Sequence, residues 1–125
     1  MKELNPMNLK YFKDEEFKLA MPACSLSQMD EVFMKRLDDA REYAGIPFII
    51  NSAFRSVEYE KSKGRSGTSQ HTKGLAVDIR CIDNAQRFRI LASLIMVGFR
   101  RIGIGTSFIH VDAGCPNSEP IIWTY

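Results

Sequence analysis

The chain has 125 residues and a mass of 14.2 kDa, the size of one ordinary domain spanning residues 1–125. Hydrophobic residues make up 45% and charged residues 26%, which excludes a wholly disordered or collagen-like chain. Lys and Arg number 17 against 15 Asp and Glu, a net charge of +2, so there is no strong electrostatic push toward nucleic acid and none is expected as a partner.

The opening stretch MKELNPMNLKYFKDEEFKLA contains no apolar block of signal-peptide length and no small-residue cleavage site. Synthesis in the cytoplasm without a signal peptide is the expectation. The segment to about Cys24 is aromatic and acidic and is expected to wrap the domain, with a short helical turn over Asp14–Lys18. From about Gln28 to Ala44, Met29, Val32, Phe33, Leu37, Ala40 and Ala44 recur at three- and four-residue spacing, one apolar stripe of a helix. Ser25 with Gln28, or Ser27 with Asp30, can cap it, and Gly45 followed by Pro47 stops it.

Pro47–Arg55 reads as a strand, Ser56 as the cap of a short helix over Val57–Ser62, and Lys63–Thr68 as a flexible loop. Leu75–Arg80 is a second strand. A third helix over about Asn84–Val97 is capped by Asp83 and ended by Gly98; Phe88, Leu91, Leu94, Ile95, Met96 and Val97 suit packing on a sheet. Its longest mainly apolar run, Ile90–Phe99, lies between Arg89 and Arg100 and has half of the roughly 20 residues a membrane span needs. No membrane association is expected. Phe99–Gly103 and Ser107–Asp112 are further extended segments, and Ile121–Trp123 is expected to return to the core. Short strands interspersed with helices predict an α+β fold: a small, mainly antiparallel sheet with helices packed on one face. Three cysteines, Cys24, Cys81 and Cys115, make an odd set without C-x-x-C spacing and read as small buried thiols, not as a disulfide framework or a structural zinc site.

Strand alternation sorts the chemistry. In Leu75–Arg80 the large apolar residues Leu75, Val77 and Ile79 share one face, which leaves Asp78 on the other; in Phe108–Asp112, Ile109 and Val111 face the core and His110 and Asp112 face away. His71 and His110 are the only histidines. If the two strands are neighbours, His71, Asp78 and His110 converge. Two neutral imidazoles and a carboxylate suit zinc with a fourth position left for water, which is hydrolytic chemistry.

Ser69-x-His71-x-x-Gly74-x-Ala76-x-Asp78 resembles the S-x-H-x-x-G-x-A-x-D signature of the zinc D-Ala-D-Ala metallopeptidases. Phe108–Ile109–His110–Val111–Asp112 resembles the second half of the site in the small single-domain branch of that family, found in phages and bacteria. Tyr11–Phe17, Asn51–Ser56, Gly103–Ile104–Gly105 and Trp123 are similar to further features of the branch. The resemblance implies a hedgehog/D-Ala-D-Ala-peptidase-like fold and one zinc per chain held by His71, Asp78 and His110. It also implies an Arg55 that polarises the scissile carbonyl or binds a substrate carboxylate, and a Ser69 that binds substrate or braces its turn. Gly74 permits a tight turn and Ala76 leaves room beside the metal.

One position departs from the pattern. Better-known relatives carry an acid three residues before the last histidine; here that residue is Ser107, which has no useful basicity. Nor does a histidine stand two residues before, as in hedgehog-like and murein endopeptidase relatives. Asp112, on the same face as His110, can serve instead as general base, orient a metal ligand, or stand as a solvated carboxylate. Glu58, Glu60 and Glu119 are outside candidates on loops. Lys61, Lys63, Arg65 and Lys73 make the neighbourhood of His71 basic, suited to acidic stem peptides or simply solvated.

Two functions follow from the resemblance. The first is a zinc carboxypeptidase or endopeptidase acting on peptidoglycan peptides as a monomer, released by lysis or carried by a phage particle. The alternative is a non-catalytic zinc-bearing module for wall binding or phage structure.

Overall fold

Asp30 caps the start of a long helix. Its carboxylate accepts from the Phe33 backbone N–H at 2.9 Å, which satisfies one of the free donors at a helix start. In this computed structural model, which describes residues 7–115 and 117–125, the helix covers Glu31–Ala44 (α2) and stops at Gly45, whose φ of 71° is left-handed. The spacing predicts a start near Gln28. The difference arises because Ser25–Gln28 closes a separate 3-10 turn, with the Gln28 side chain accepting from the Ser25 N–H at 2.9 Å. Upstream lies α1 (Asp14–Lys18); residues 1–6 of the opening segment fall outside the described residues. Buried Asp38 on α2 accepts from the backbone N–H groups of Lys10, Tyr11 and Phe12, so the segment before α1 is pinned across that helix.

The remaining helices among the described residues are α3 (Val57–Ser62), capped by Ser56, and α4 (Asn84–Met96), capped by Asp83. Both caps are where the sequence places them. Helix α4 packs against α2 and on the sheet. It buries Ile90, Ser93 and Leu94, while Phe88, Ile95 and Met96 are exposed. The expectation that those three pack on the sheet is not met. A helix with one helical neighbour and one sheet beneath it buries one stripe, and Phe88 and Ile95, two turns apart, lie on the opposite side.

Five strands form one sheet: β1 (Ile50–Ser52), β2 (Ala76–Arg80), β3 (Arg101–Ile104), β4 (Phe108–Asp112) and β5 (Ile121–Thr124), in the spatial order β1-β2-β4-β3-β5. Only the β3–β5 pair is parallel. Strand β1 is shorter than the predicted Pro47–Arg55. Its register shifts between Ile50 and Ser52, and by Arg55 the backbone N–H has left the sheet to donate to the His71 carbonyl. Strand β5 is an edge strand, mostly exposed, with Trp123 alone half-buried; the expected return to the core is partial.

Val77, Ile79, Ile102, Ile109 and Val111 are buried in one core with Met34, Leu37, Ile90 and Leu94 of the helices. The opposite face carries the polar residues. Its central row runs across all five strands as Ser52–Asp78–His110–Gly103–Trp123, each residue paired with the next. All three thiols are free; Cys24 and Cys81 are buried as expected, but Cys115 is exposed, because it follows the end of β4 and lies outside the core. Among the described residues no helix is long and apolar enough to cross a membrane.

Candidate metal centre

His71 lies on a 3-10 turn, Gln70–Lys73, that delivers the chain into β2. Gly74 closes the turn at φ +70°, and a Cβ there would lie 2.4 Å from the Gln28 carbonyl oxygen. The Gly74 carbonyl in turn accepts from the Asp30 N–H at 2.9 Å. Glycine is thus demanded both by the backbone conformation and by the close approach of the α2 start. Docked this way, His71 is buried with Nδ1 at 2.7 Å from the Ala53 carbonyl oxygen. A carbonyl only accepts, so Nδ1 carries the hydrogen. The lone pair of Nε2 is left facing Asp78 Oδ1, 3.6 Å away.

Asp78 sits in the middle of β2, directly opposite His110 on β4. His110 Nδ1 is 2.9 Å from Asp78 Oδ1, and its Nε2 is 2.7 Å from Asp112 Oδ2. The two imidazole rings are 5.3 Å apart. One nitrogen of each histidine and one Asp78 oxygen lie within 4.8 Å of one another, among the described residues a group able to hold a metal ion.

Behind these three stands a layer of charge. Arg101 Nε donates to Asp112 Oδ1 at 2.8 Å, so each oxygen of buried Asp112 has a partner. Arg55 spreads its guanidinium over three acceptors: Nε to Ser52 Oγ at 3.0 Å, Nη1 to Glu60 Oε2 at 3.3 Å, and Nη2 to Asp78 Oδ2 at 3.3 Å. Ser69 Oγ donates to the same Glu60 oxygen at 2.5 Å. On the far side of His110 the Trp123 ring approaches to 5.6 Å, with Arg101 over its other neighbourhood at 5.1 Å. Gly103 makes room for that ring: a Cβ there would lie 2.6 Å from the indole.

These contacts set the charges. Burial opposes ionisation of Asp78, but the hydrogen bond with His110 outweighs it and holds the carboxyl well below the usual range. Burial likewise works against a charged His110, yet Asp112 and Asp78 on either side push its pKa up to about 9. Asp112 is held low against its burial by His110 and Arg101, and Glu60 by Ser69 and Arg55.

The donor set fits zinc. It offers two imidazole nitrogens and one carboxylate oxygen, the number and type found at hydrolytic zinc sites that keep a fourth position for water or substrate. Each imidazole has one nitrogen fixed by a protein acceptor and the other turned to the shared carboxylate. Metal-ligating histidines are commonly oriented in this way.

The residues singled out in the sequence are therefore distributed as follows. His71, Asp78 and His110 converge, and Arg55 joins them through Asp78. Ser69 lies one carboxylate further back. Asp112 touches the far nitrogen of His110: the contact is direct, and no gap is left between those two side chains for water. Ser107, Glu58 and Glu119 are exposed. Glu58 and Glu60 are not on loops but on α3, where Glu60 is fully buried. Lys61, Lys63, Arg65 and Lys73 are all exposed. The supporting roles of Arg101, Ser52 and the Ala53 carbonyl are not legible in the sequence, because they depend on which strands pair and in what register.

Two imidazoles and a carboxylate gathered on the polar face of an α+β sheet could hold one metal ion, with the donor types of hydrolytic centres. The family model for peptidase M15 matches residues 10–112, and the chain belongs to the peptidase M15 family. The matched span contains all three donors together with Arg55, Glu60, Ser69, Arg101 and Asp112, and it ends before β5. A search of curated proteins finds no match to the chain.

Proposed function

We propose that the protein is a zinc-dependent peptidase that hydrolyses peptide bonds in bacterial peptidoglycan, at a stem-peptide D-Ala-D-Ala bond or a nearby cross-link. The convergence of His71, Asp78 and His110 carries the reading; the family match supports peptidase chemistry. The choice of substrate rests on the likeness of the Ser69–Asp78 motif to that of the D-Ala-D-Ala metallopeptidases.

A zinc ion bound there would supply Lewis acidity, lowering the pKa of water and polarising a carbonyl. The chain's own residues do the rest. The Ala53 carbonyl and Asp112 hold the two imidazoles in fixed orientation. Asp112 is a positioning residue in this reading, since both its oxygens are engaged away from Asp78. Arg55 places positive charge at Asp78 Oδ2, next to the three donors, where it would favour negative charge developing on a substrate oxygen; electrostatic stabilisation of that kind is a large share of hydrolytic catalysis.

The engagement of Asp112, with serine at 107, favours a second reading: a module that binds zinc and the wall without cutting it. Incubation with a purified muropeptide separates the two. A peptidase releases an amino acid or peptide when zinc is present; a binding module retains the muropeptide intact.

A further inference from the structure

We propose that Glu60 is a positioning residue for the metal centre: by holding one arm of Arg55, it keeps that guanidinium from capturing Asp78. The proposal rests on the reading that His71, Asp78 and His110 hold zinc.

Arg55 lies between two carboxylates, with Nη1 on Glu60 Oε2 and Nη2 on Asp78 Oδ2, both at 3.3 Å. Its Nε is fixed on Ser52. The fork is thus shared, one Nη to each acid. Planar guanidinium prefers the paired, two-pronged contact with a single carboxylate, and Glu60 denies that contact to Asp78. Asp78 is left with one oxygen, Oδ1, facing both histidines, and that oxygen is available to a cation.

The surroundings of Glu60 point the same way. Its side chain is 1% exposed, and its Oε1 has no partner among the described residues. A carboxylate in that position is expensive to bury unless it is paired. A purely structural need at α3 would be met by an apolar or amide side chain of similar size. The partners it does have, Arg55 and Ser69, both lead to the metal donors: Arg55 to Asp78, and Ser69 to the turn that carries His71. In charge terms, Asp78, Glu60 and Arg55 together present one net negative charge to an incoming cation. Without the Glu60 charge they present none, and Arg55 is left with Asp78 as its only carboxylate.

The test is zinc affinity of the metal-stripped protein, measured by competition with a chromophoric chelator for wild type, Glu60→Gln, Glu60→Asp and the double variant Arg55→Gln/Glu60→Gln, with circular dichroism as the check on folding. Glu60→Gln should weaken zinc binding by about 10- to 100-fold, the usual effect of losing a group that orients a ligand. Glu60→Asp, which keeps the charge on a shorter stem, should fall between it and wild type. The double variant should bind zinc more tightly than Glu60→Gln and regain most of the loss, because the cation that captures Asp78 is gone and coupled neighbours are non-additive. A merely structural Glu60 would leave the double variant as weak as the single or weaker, and that result overturns the proposal. Unchanged affinity in Glu60→Gln also overturns it; if that variant does not fold, unchanged affinity in Glu60→Asp does so. A wild-type protein that takes up no zinc refutes the metal centre itself, which distinguishes failure of the underlying reading from failure of the role given to Glu60.

Discussion

His110 and Asp112 stand two residues apart on one strand and touch: the imidazole Nε2 and the carboxylate Oδ2 are 2.7 Å apart. Side chains at i and i+2 share a face, and their Cα atoms are roughly 7 Å apart from the rise of a strand. Spacing alone would allow a water between them. The contact closes instead because Arg101, directly opposite Asp112 on β3, holds the other carboxylate oxygen. His110 Nδ1 is thereby turned toward Asp78.

Asp112→Asn should therefore act on metal binding. The amide cannot replace a charged acceptor at Nε2, and zinc affinity is expected to fall by about 10- to 100-fold. Turnover should return when zinc is in excess. Unchanged affinity with turnover lower by about 10² to 10⁴ would instead mark Asp112 as the general base.

His71→Ala and His110→Ala should each abolish stoichiometric zinc uptake, measured by elemental analysis of purified protein. The fold should survive at reduced stability, since the core of α2, α4 and the sheet is independent of the donors and the chain is much larger than domains that need a metal to fold. Full zinc occupancy in either variant would remove that histidine from the donor set.

Without metal, His110 is an imidazolium between two carboxylates, with its pKa raised to about 9 from an unfolded value near 6.5. A raised pKa contributes stability that is fully present below about 6.5 and is lost as pH rises through about 9. Asp78 and Asp112 shift downward, so their contributions are present above the ordinary carboxylate range, about 4, and are lost in acid. Urea midpoints of the chelator-treated protein should peak between about pH 5 and 6.5 and decline toward 9. His110 would hold zinc only in its neutral form, so added zinc should remove the alkaline decline and bind more tightly as pH rises toward about 9. A metal-free stability that is flat from neutral pH to above 9 would contradict this arrangement of His110.

Gly103→Ala places a methyl group 2.6 Å from the indole of Trp123. A shift of the ring is required, and a loss of about 1–3 kcal/mol is expected for such overpacking. Trp123 is the chain's only tryptophan, so its emission reports the displacement directly. Wild-type emission and stability in the variant would mean that the ring does not depend on the bare backbone at Gly103.

Much of this was legible in the sequence. Period-two alternation put Asp78, His110 and Asp112 on one face, and caps at Ser56 and Asp83 located two helices, because these signals are local. The rest of the site depends on long-range pairing. The contact between Arg101 and Asp112 needs β3 beside β4; the burial of Glu60 needs α3 folded over Arg55. The exposed Phe88, Ile95 and Met96 show the limit of hydrophobicity as a guide to burial: nothing in the residues themselves says how many neighbours a helix will have.

The most direct measurement is cleavage of a purified muropeptide by metal-stripped protein as zinc is added back, with products identified by mass spectrometry. No product is expected without zinc, and activity should rise to a plateau at one zinc per chain. Cleavage that persists without zinc, or an intact muropeptide at full occupancy of the site, would contradict assignment of the protein as a zinc peptidase of the bacterial wall.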